Sequence, residues 1–214
     1  MPRTAAGKRK NPVFEIVMET DAVMRGELYP AHAPQTVGHF IALANAGFYD
    51  GLTFHRCIRG FIAQAGKPPA GKPPYCIQGE FEFNGCKLNR LPQAYGSLCL
   101  SRGGHYNSGY AQFFIVVATD KRELSMLNGA YAVFGKVTEG MRVAEALSEV
   151  KTNDANEPLH SQIIRRVRVE TFGEEYPFEQ LVPPTLDINL PKIKHRAGRT
   201  APAENQKEEG FING

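Results

Sequence analysis

The 214-residue sequence has no tryptophan, no long apolar run and little net charge. A formal charge of +3 is too weak to predict a nucleic-acid or membrane partner for the body of the chain. No stretch approaches the roughly 18 apolar residues that a membrane span needs. The basic N-terminus is not followed by an apolar run either, so we expect no secretory signal. These absences lead us to expect a cytoplasmic protein.

Cysteine is scarce, and its spacing does not indicate a metal site. The four cysteines form no CxxC motif and no zinc pattern with histidine; they are Cys57, Cys76, Cys86 and Cys99. We therefore expect free thiols in a reducing compartment. The spacing alone leaves a Cys76–Cys86 disulfide open.

Glycine and proline are abundant, at 21 and 15 residues, which predicts many turns between short elements. Eight segments look like strands: 11–20, 22–30, 52–58, 61–66, 96–101, 111–118, 131–137 and 162–172. Two segments, 33–47 and 139–149, have a helical period. Because helices do not alternate with strands, we predict a mainly β fold: a closed eight-stranded antiparallel barrel capped by two α-helices.

Changes in composition divide the chain into three regions. Residues 1–12 read as a flexible basic tail, and residues 13–172 as the compact domain. Residues 173–214 are rich in proline and charge and have no period, so we expect an extension that docks through Tyr176, Phe178 and Leu181 and is disordered toward its end. Residues 65–74 repeat the pentapeptide AGKPP and are expected to form a surface loop.

The densest functional signal lies between Phe54 and Gly66, where Arg56 stands in a largely apolar run. Strand alternation would put Phe54, Arg56 and Ile58 on one face. An arginine in such a run needs a partner or a purpose. For a lone arginine, an ion pair with a carboxylate at the barrel rim is the ordinary explanation.

Three sequence blocks, which have the order and spacing found in a known family, favour a functional role for Arg56 over a structural ion pair. They are Phe54-His55-Arg56 with Gly60-Phe61 and Gln64; Asn107-Ser108 with Gln112-Phe113-Phe114-Ile115; and LNGAYAVFGKVTEGM at 127–141. Together they resemble the signature of the cyclophilin-type peptidyl-prolyl cis/trans isomerases. The resemblance runs from about Val13 to Phe172 and implies an isomerase domain over residues 13–172.

The resemblance implies an enzyme that accelerates rotation about X-Pro bonds and assists protein folding, with Arg56 as the catalytic residue. The remaining residues that it places at the substrate are His55, Phe61, Ile62, Gln64, Ser101, Arg102, Gly103, Gln112, Phe114, Met126, Leu127 and Tyr131. Four of them, Phe61, Ile62, Phe114 and Leu127, would line the proline pocket, with Tyr131 at its edge. Gln64 would orient Arg56, and residues 101–103 would offer backbone groups to the substrate. No metal or other cofactor is expected.

Several positions depart from the family pattern. Met126 stands where many eukaryotic members have tryptophan, and because methionine cannot donate an indole hydrogen bond we expect only weak cyclosporin binding. The usual Gln-Gly-Gly is Gln64-Ala65-Gly66 here, and the AGKPP repeat replaces the loop that usually follows. Tyr110 stands where small residues are common.

Rival functions remain open. A proline-peptide-binding module with little catalysis would use the same pocket, and only Arg56 separates it from the enzyme. A nucleic-acid role would rest on two short basic runs, at 1–10 and 191–199, which are usually solvated tails. A metal enzyme using His55 and His105 lacks partners at ligand spacing. We expect a monomer that binds proline-containing peptides and folding proteins, with neither nucleic acid nor membrane as partner.

Overall fold

The computed structural model describes residues 10–68 and 73–183, and its main element is an eight-stranded antiparallel sheet. The strands are β1 (Val13–Met18), β2 (Val23–Leu28), β3 (Phe54–Ile58), β4 (Ile62–Ala65), β5 (Ser97–Leu100), β6 (Phe113–Val116), β7 (Val133–Glu139) and β8 (Ile164–Glu170). They follow the order β3-β4-β6-β5-β7-β2-β1-β8. The mainly β, eight-stranded prediction is confirmed.

Closure of the barrel is not confirmed. The strand order has two ends, β3 and β8. These two edges meet beside the strands at one isolated bridge, Thr53 with Ile163, and the Phe54 amide donates to the Gln162 carbonyl at 2.9 Å. The sheet is therefore curled but open, because the ladder between its edge strands is too short to count as a strand pair.

Three α-helices accompany the sheet in the described part of the chain, where we predicted two. The predicted pair are α1 (Pro34–Asn45) and α3 (Met141–Ser148). A short α2 (Lys121–Ser125) was missed, although Asp120 signals its start by accepting hydrogen bonds from the amides of Arg122 and Glu123. A 3-10 turn at Glu82–Asn84 completes the described elements.

The main apolar core lies on the inner face of the sheet. Phe14, Ile16 and Met18 of β1 are buried in it, as their alternation predicts. On β8, Val167 and Val169 are buried while the three arginines of the strand are exposed. Aromatic rings near the centre of the core pack edge to face or tilted around Phe40 of α1.

The side of α1 that faces away from the sheet is also buried, because the chain beyond β8 lies over it. We call residues 174–182 the C-terminal clasp. Gly38 lets the clasp backbone approach closely: a Cβ there would lie 2.5 Å from the Tyr176 carbonyl oxygen. The rings of Phe178 and His39 pack edge to face with their centroids 5.1 Å apart. Leu181 forms two backbone hydrogen bonds with Cys76. The expected docking through Tyr176, Phe178 and Leu181 is thus seen.

The remaining expectations are settled only in part. All four cysteines are free, so the Cys76–Cys86 disulfide does not form. Among the described residues, none of the helices has the length and apolar character to cross a bilayer. No group of three or more potential metal ligands occurs among them either. The expected tails at 1–9 and 184–214, and residues 69–72 of the AGKPP repeat, lie outside the described residues.

Candidate active site

A β-bulge in β3 decides which way Arg56 points. Phe54 pairs with Ala65 but Arg56 pairs with Gln64, so one extra residue is inserted in β3 at His55. The predicted shared face of Phe54, Arg56 and Ile58 is therefore wrong. Phe54 packs in the main core, whereas Ile58 packs in a second apolar cluster on the other side of the sheet. The bulge turns Arg56 out of the core face that strict alternation would have given it.

Gln64 holds Arg56 through a short hydrogen-bond network. The Arg56 Nη1 donates to Gln64 Oε1 at 3.3 Å. The Gln64 Nε2 donates in turn to Ser101 Oγ at 3.1 Å and to Gln112 Oε1 at 2.9 Å. Both ends of this buried amide are satisfied, which fixes its orientation. Four predicted site residues, on β3, on β4 and beside β5 and β6, are thus brought together.

Arg56 has no acidic partner among residues 10–68 and 73–183. A rim ion pair with a carboxylate, the ordinary explanation for such an arginine, is therefore not found in the described part of the chain. The guanidinium is half-buried and bound to a neutral amide. Its positive charge stays uncompensated at this surface and remains available to a bound group.

The apolar residues predicted for the proline pocket form one cluster next to this network. Ile62, Phe114 and Leu127 are buried, and the half-buried Phe61 and Tyr131 pack against them. Phe114 and Tyr131 meet edge to face with ring centroids 5.2 Å apart. The cluster also contains Cys99, Val116, Ala118 and Val133. An apolar wall therefore lies beside a fixed cation.

Residues 101–103 already use two of the backbone groups that the resemblance places at the substrate. The amides of Ser101 and Gly103 are already used, because they donate to the Gln112 carbonyl oxygen and to Ser108 Oγ. The prominent group of the segment is instead the Arg102 side chain, whose guanidinium lies about 5 Å from three aromatic ring centroids: 5.1 Å from Phe81, 4.9 Å from Tyr106 and 5.0 Å from Tyr131. Sequence reasoning missed this cage because its members are distant in the chain.

His55 and Met126 lie at the margins of the site. Burial is the largest cause that lowers the pKa of His55, with the charge of Lys67 next, so the ring stays neutral near neutral pH. Among the described residues its Nδ1 has no hydrogen-bond partner. Met126 follows α2 and is 65% exposed, while the next residue, Leu127, is buried in the cluster.

A cavity of about 480 Å³ opens beside the network. It shares five predicted residues with the candidate site: Gln64, Ser101, Arg102, Gly103 and Gln112. The other lining residues were not assigned to the site: Lys67, Pro68, Pro73, Ser108, Tyr110 and Ala111. A volume of this size is enough for a side chain or a small ligand.

Comparison with known proteins gives a consistent result. Residues 14–169 match the family model described as cyclophilin type peptidyl-prolyl cis-trans isomerase/CLD. The chain is 41% identical over 149 residues to peptidyl-prolyl cis-trans isomerase B of Bacillus subtilis, covering 67% of this chain and 88% of that protein. It is 38% identical over 151 residues to peptidyl-prolyl cis-trans isomerase-like 1 of Aspergillus niger, covering 70% and 90%.

A solved structure agrees with the sequence relatives. The crystal structure of a Cryptosporidium parvum cyclophilin type peptidyl-prolyl cis-trans isomerase superposes with a TM-score of 0.64 at 25% identity. The match covers 75% of this chain and 98% of that one. The described fold and the sequence therefore lead to the same set of relatives.

Proposed function

Because the chain belongs to the cyclophilin-type peptidyl-prolyl cis-trans isomerase family, we propose that it isomerises X-Pro bonds with Arg56 as its catalytic residue. It is a peptidyl-prolyl cis-trans isomerase by family and by the names of its relatives. Its substrates on this proposal are proline-containing peptides and folding proteins. The observation that carries the assignment of Arg56 is a guanidinium that Gln64 holds beside an apolar wall, with no acidic partner among the described residues.

The reaction needs no bond to an enzyme nucleophile. The barrier to rotation, ~18–20 kcal/mol, arises from amide resonance. In the twisted amide the proline nitrogen becomes pyramidal and regains a lone pair. A guanidinium N–H aimed at that lone pair stabilises the twisted amide more than the planar one, which is the condition for catalysis. Arginine keeps its charge at all ordinary pH values, so it acts as an electrostatic group and not as an acid or base.

The neighbouring residues supply position. Gln64 accepts from Arg56 and is itself held by Ser101 and Gln112, so the guanidinium does not have to be ordered during the reaction. The proline ring would pack on the apolar wall formed by Ile62, Phe114 and Leu127. Binding the ring there would hold the amide nitrogen within reach of Arg56.

The test is the cis-to-trans rate of a short X-Pro peptide, measured by NMR exchange with wild type and Arg56→Ala. Loss of a donor that acts mainly in the transition state costs roughly 10²–10³-fold in rate, so we expect a fall in kcat/KM of about that size in a folded variant. Arg142→Ala, an exposed arginine of α3, is the matched control and should keep full activity. If wild type binds the peptide without accelerating its isomerisation, the chain is a proline-peptide-binding module instead.

Further features of the proposal follow the family resemblance. We propose that residues 13–172 form the isomerase domain, flanked by the tail at 1–12 and the extension at 173–214, and that the protein works as a cytoplasmic monomer that assists folding. Cyclosporin should bind only weakly, because the exposed Met126 lacks the indole donor that a tryptophan would supply. Size-exclusion chromatography with light scattering would check the monomer, and fractionation of cells the location.

A further inference from the structure

The cavity beside Gln64 is positively charged. Two basic residues, Lys67 and Arg102, are among those that line it, and its described lining contains no acidic residue. A concave surface that carries charge of one sign attracts a ligand group of the other sign.

Arg102 is held in place without an anion. Its Nε donates to the Ala130 carbonyl oxygen at 2.9 Å, and its Nη1 donates to the Gly103 carbonyl oxygen at 3.0 Å. The rings of Phe81, Tyr106 and Tyr131 surround the guanidinium. Stacking on aromatic faces and bonding to carbonyl oxygens orient an arginine but leave its charge uncompensated. Such a cation is pre-organised to bind a carboxylate, because little side-chain entropy is left to lose.

Neither cation is neutralised by the protein within residues 10–68 and 73–183. No ion pair of Lys67 or Arg102 with an aspartate or glutamate occurs there. The charge of Lys67 is also felt at the site, since it is one of the causes that lower the pKa of His55. The two cations therefore contribute together to the potential at this cavity.

The cavity lies within reach of the reacting proline. Its walls include Gln64 and Gln112, the amides that also orient Arg56. An extended peptide advances about 3.3–3.6 Å per residue, so a side chain two or three residues from the proline is displaced by roughly 7–11 Å. A peptide whose proline lies on the apolar wall can thus place a neighbouring side chain in the cavity.

We propose that this cavity binds an acidic side chain, aspartate or glutamate, within three residues of the isomerised proline, and that Lys67 and Arg102 determine this preference. The inference rests on the proposed isomerase function and adds a substrate class to it. The preferred clients are polypeptides with an acidic residue close to an X-Pro bond.

The test compares pairs of seven-residue alanine-based peptides with a central proline. Each pair carries either glutamate or glutamine at one of the three positions before or after the proline, and kcat/KM is measured by NMR exchange near neutral pH. At one position we expect the glutamate peptide to be favoured about fivefold, which corresponds to about 1 kcal/mol. The preference should shrink as salt is raised from about 0.05 M to 0.5 M, because the pairing is partly solvent-exposed.

Charge variants show whether the cavity is the source of the preference. Lys67→Gln and Arg102→Gln should each reduce the glutamate/glutamine ratio toward one, whereas the exposed Lys136→Gln on β7 should leave it unchanged. Both peptides are measured with the same variant. A partial loss of folded protein therefore lowers both rates by the same factor and leaves the glutamate/glutamine ratio unchanged. A ratio below about twofold at every position, with both peptides isomerised, would overturn this inference alone. A ratio that survives both charge variants would overturn it too. If neither peptide is isomerised, the proposed function falls with it.

Discussion

The outer side of helix α1 and the outer face of strands β3, β4, β5 and β6 both carry apolar side chains, but these two surfaces are covered to different extents. The first is sealed: Phe178 of the C-terminal clasp, Tyr75 and Tyr110 surround His39, which is completely buried. The second is bordered by half-buried side chains such as Phe61 and Tyr131 and carries the half-buried Arg56. The sealed surface contributes to stability, and the open one is available for binding.

Polar groups on the two surfaces differ in the same way. On the sealed side, neither ring nitrogen of His39 has a hydrogen-bond partner among the described residues. On the open side, the Gln64 amide is bonded at both ends. Burying an unsatisfied polar group costs stability, whereas a satisfied network fixes geometry. From this comparison we expect His39 on the sealed surface to make the free energy of unfolding depend on pH. On the open surface we expect the rate of isomerisation to depend on how the network orients Arg56.

The largest expected effect concerns pH and the sealed surface. Burial lowers the pKa of His39 from 6.5 to about 4. The unfolded chain therefore binds a proton that the folded chain excludes between these values, so the stability present above about pH 6.5 is lost as the pH falls toward 4. The shift corresponds to about 3 kcal/mol. Urea denaturation of wild type and His39→Leu at a series of pH values measures it.

His39→Leu keeps nearly the same volume and removes the titrating group, so the other ionisable groups are shared by the two proteins. The difference in their pH profiles isolates His39. Equal pH dependence in the two proteins between about pH 4 and pH 7 would show that the clasp does not keep this ring away from solvent.

A second prediction concerns the seal itself. A Cβ at Gly38 would lie 2.5 Å from the Tyr176 carbonyl oxygen and 2.9 Å from the Pro177 carbonyl oxygen. Alanine normally stabilises a helix interior by ~1 kcal/mol over glycine. With the clasp in place we expect Gly38→Ala to destabilise the protein instead, because the new methyl group would collide with the clasp backbone. The free energy of unfolding should fall by about 2 kcal/mol.

Without the clasp, Gly38→Ala should no longer destabilise the protein. In a chain that ends at residue 172, we expect Gly38→Ala to be neutral or stabilising, since the carbonyl oxygens that it would meet are gone. Ala42→Gly, at an exposed position of the same helix, is the control for helix propensity and should destabilise both chains equally. A stabilising Gly38→Ala in the full chain would contradict the close approach of the clasp.

A third, smaller effect belongs to the open surface. Gln64→Leu keeps the side-chain volume but removes the acceptor that orients Arg56 and the donor to Ser101 and Gln112. We expect kcat/KM for an X-Pro peptide to fall about tenfold, roughly 1.4 kcal/mol of transition-state stabilisation. Gln162→Leu removes an amide that donates to the His160 carbonyl oxygen and takes no part in the network, so this control should keep full activity. Full activity in Gln64→Leu would mean that Arg56 needs no such partner.

Much of the fold follows from short-range patterns. Alternation in β1 and β8 and the helical period of α1 identify their buried faces correctly, because one side of each element must meet the core. The docking of the clasp was also predictable from Tyr176, Phe178 and Leu181, three large apolar or aromatic residues that alternate with charged and polar ones. That this segment docks could therefore be anticipated, but its position over α1 and its contact with His39 could not.

The candidate site was less accessible to such reasoning. The bulge at His55 inserts one residue, and a pattern of period two cannot reveal where its phase slips. The Arg102 cage gathers rings from three separate segments, so no local signal marks it. The choice of Arg56 and Gln64 came from the resemblance in their motif, since an isolated arginine in an apolar strand is more often a structural ion pair.

The smallest expected effect concerns the rim of the open surface. Met126 is 65% exposed and lies next to the buried Leu127, so a larger ring at this position can reach over the apolar wall without disturbing the core. Met126→Trp adds an indole N–H donor, and one net hydrogen bond is worth ~0.5–1.5 kcal/mol. We expect cyclosporin affinity to rise by up to about tenfold while kcat/KM for a peptide changes less than about twofold.

Leu88→Trp, at another exposed apolar position, is the control and should leave both quantities unchanged. Titration calorimetry measures the cyclosporin affinity of both proteins. Tight binding by wild type would show that an indole donor at position 126 is not needed. An unchanged affinity in Met126→Trp would mean that this residue does not contact cyclosporin.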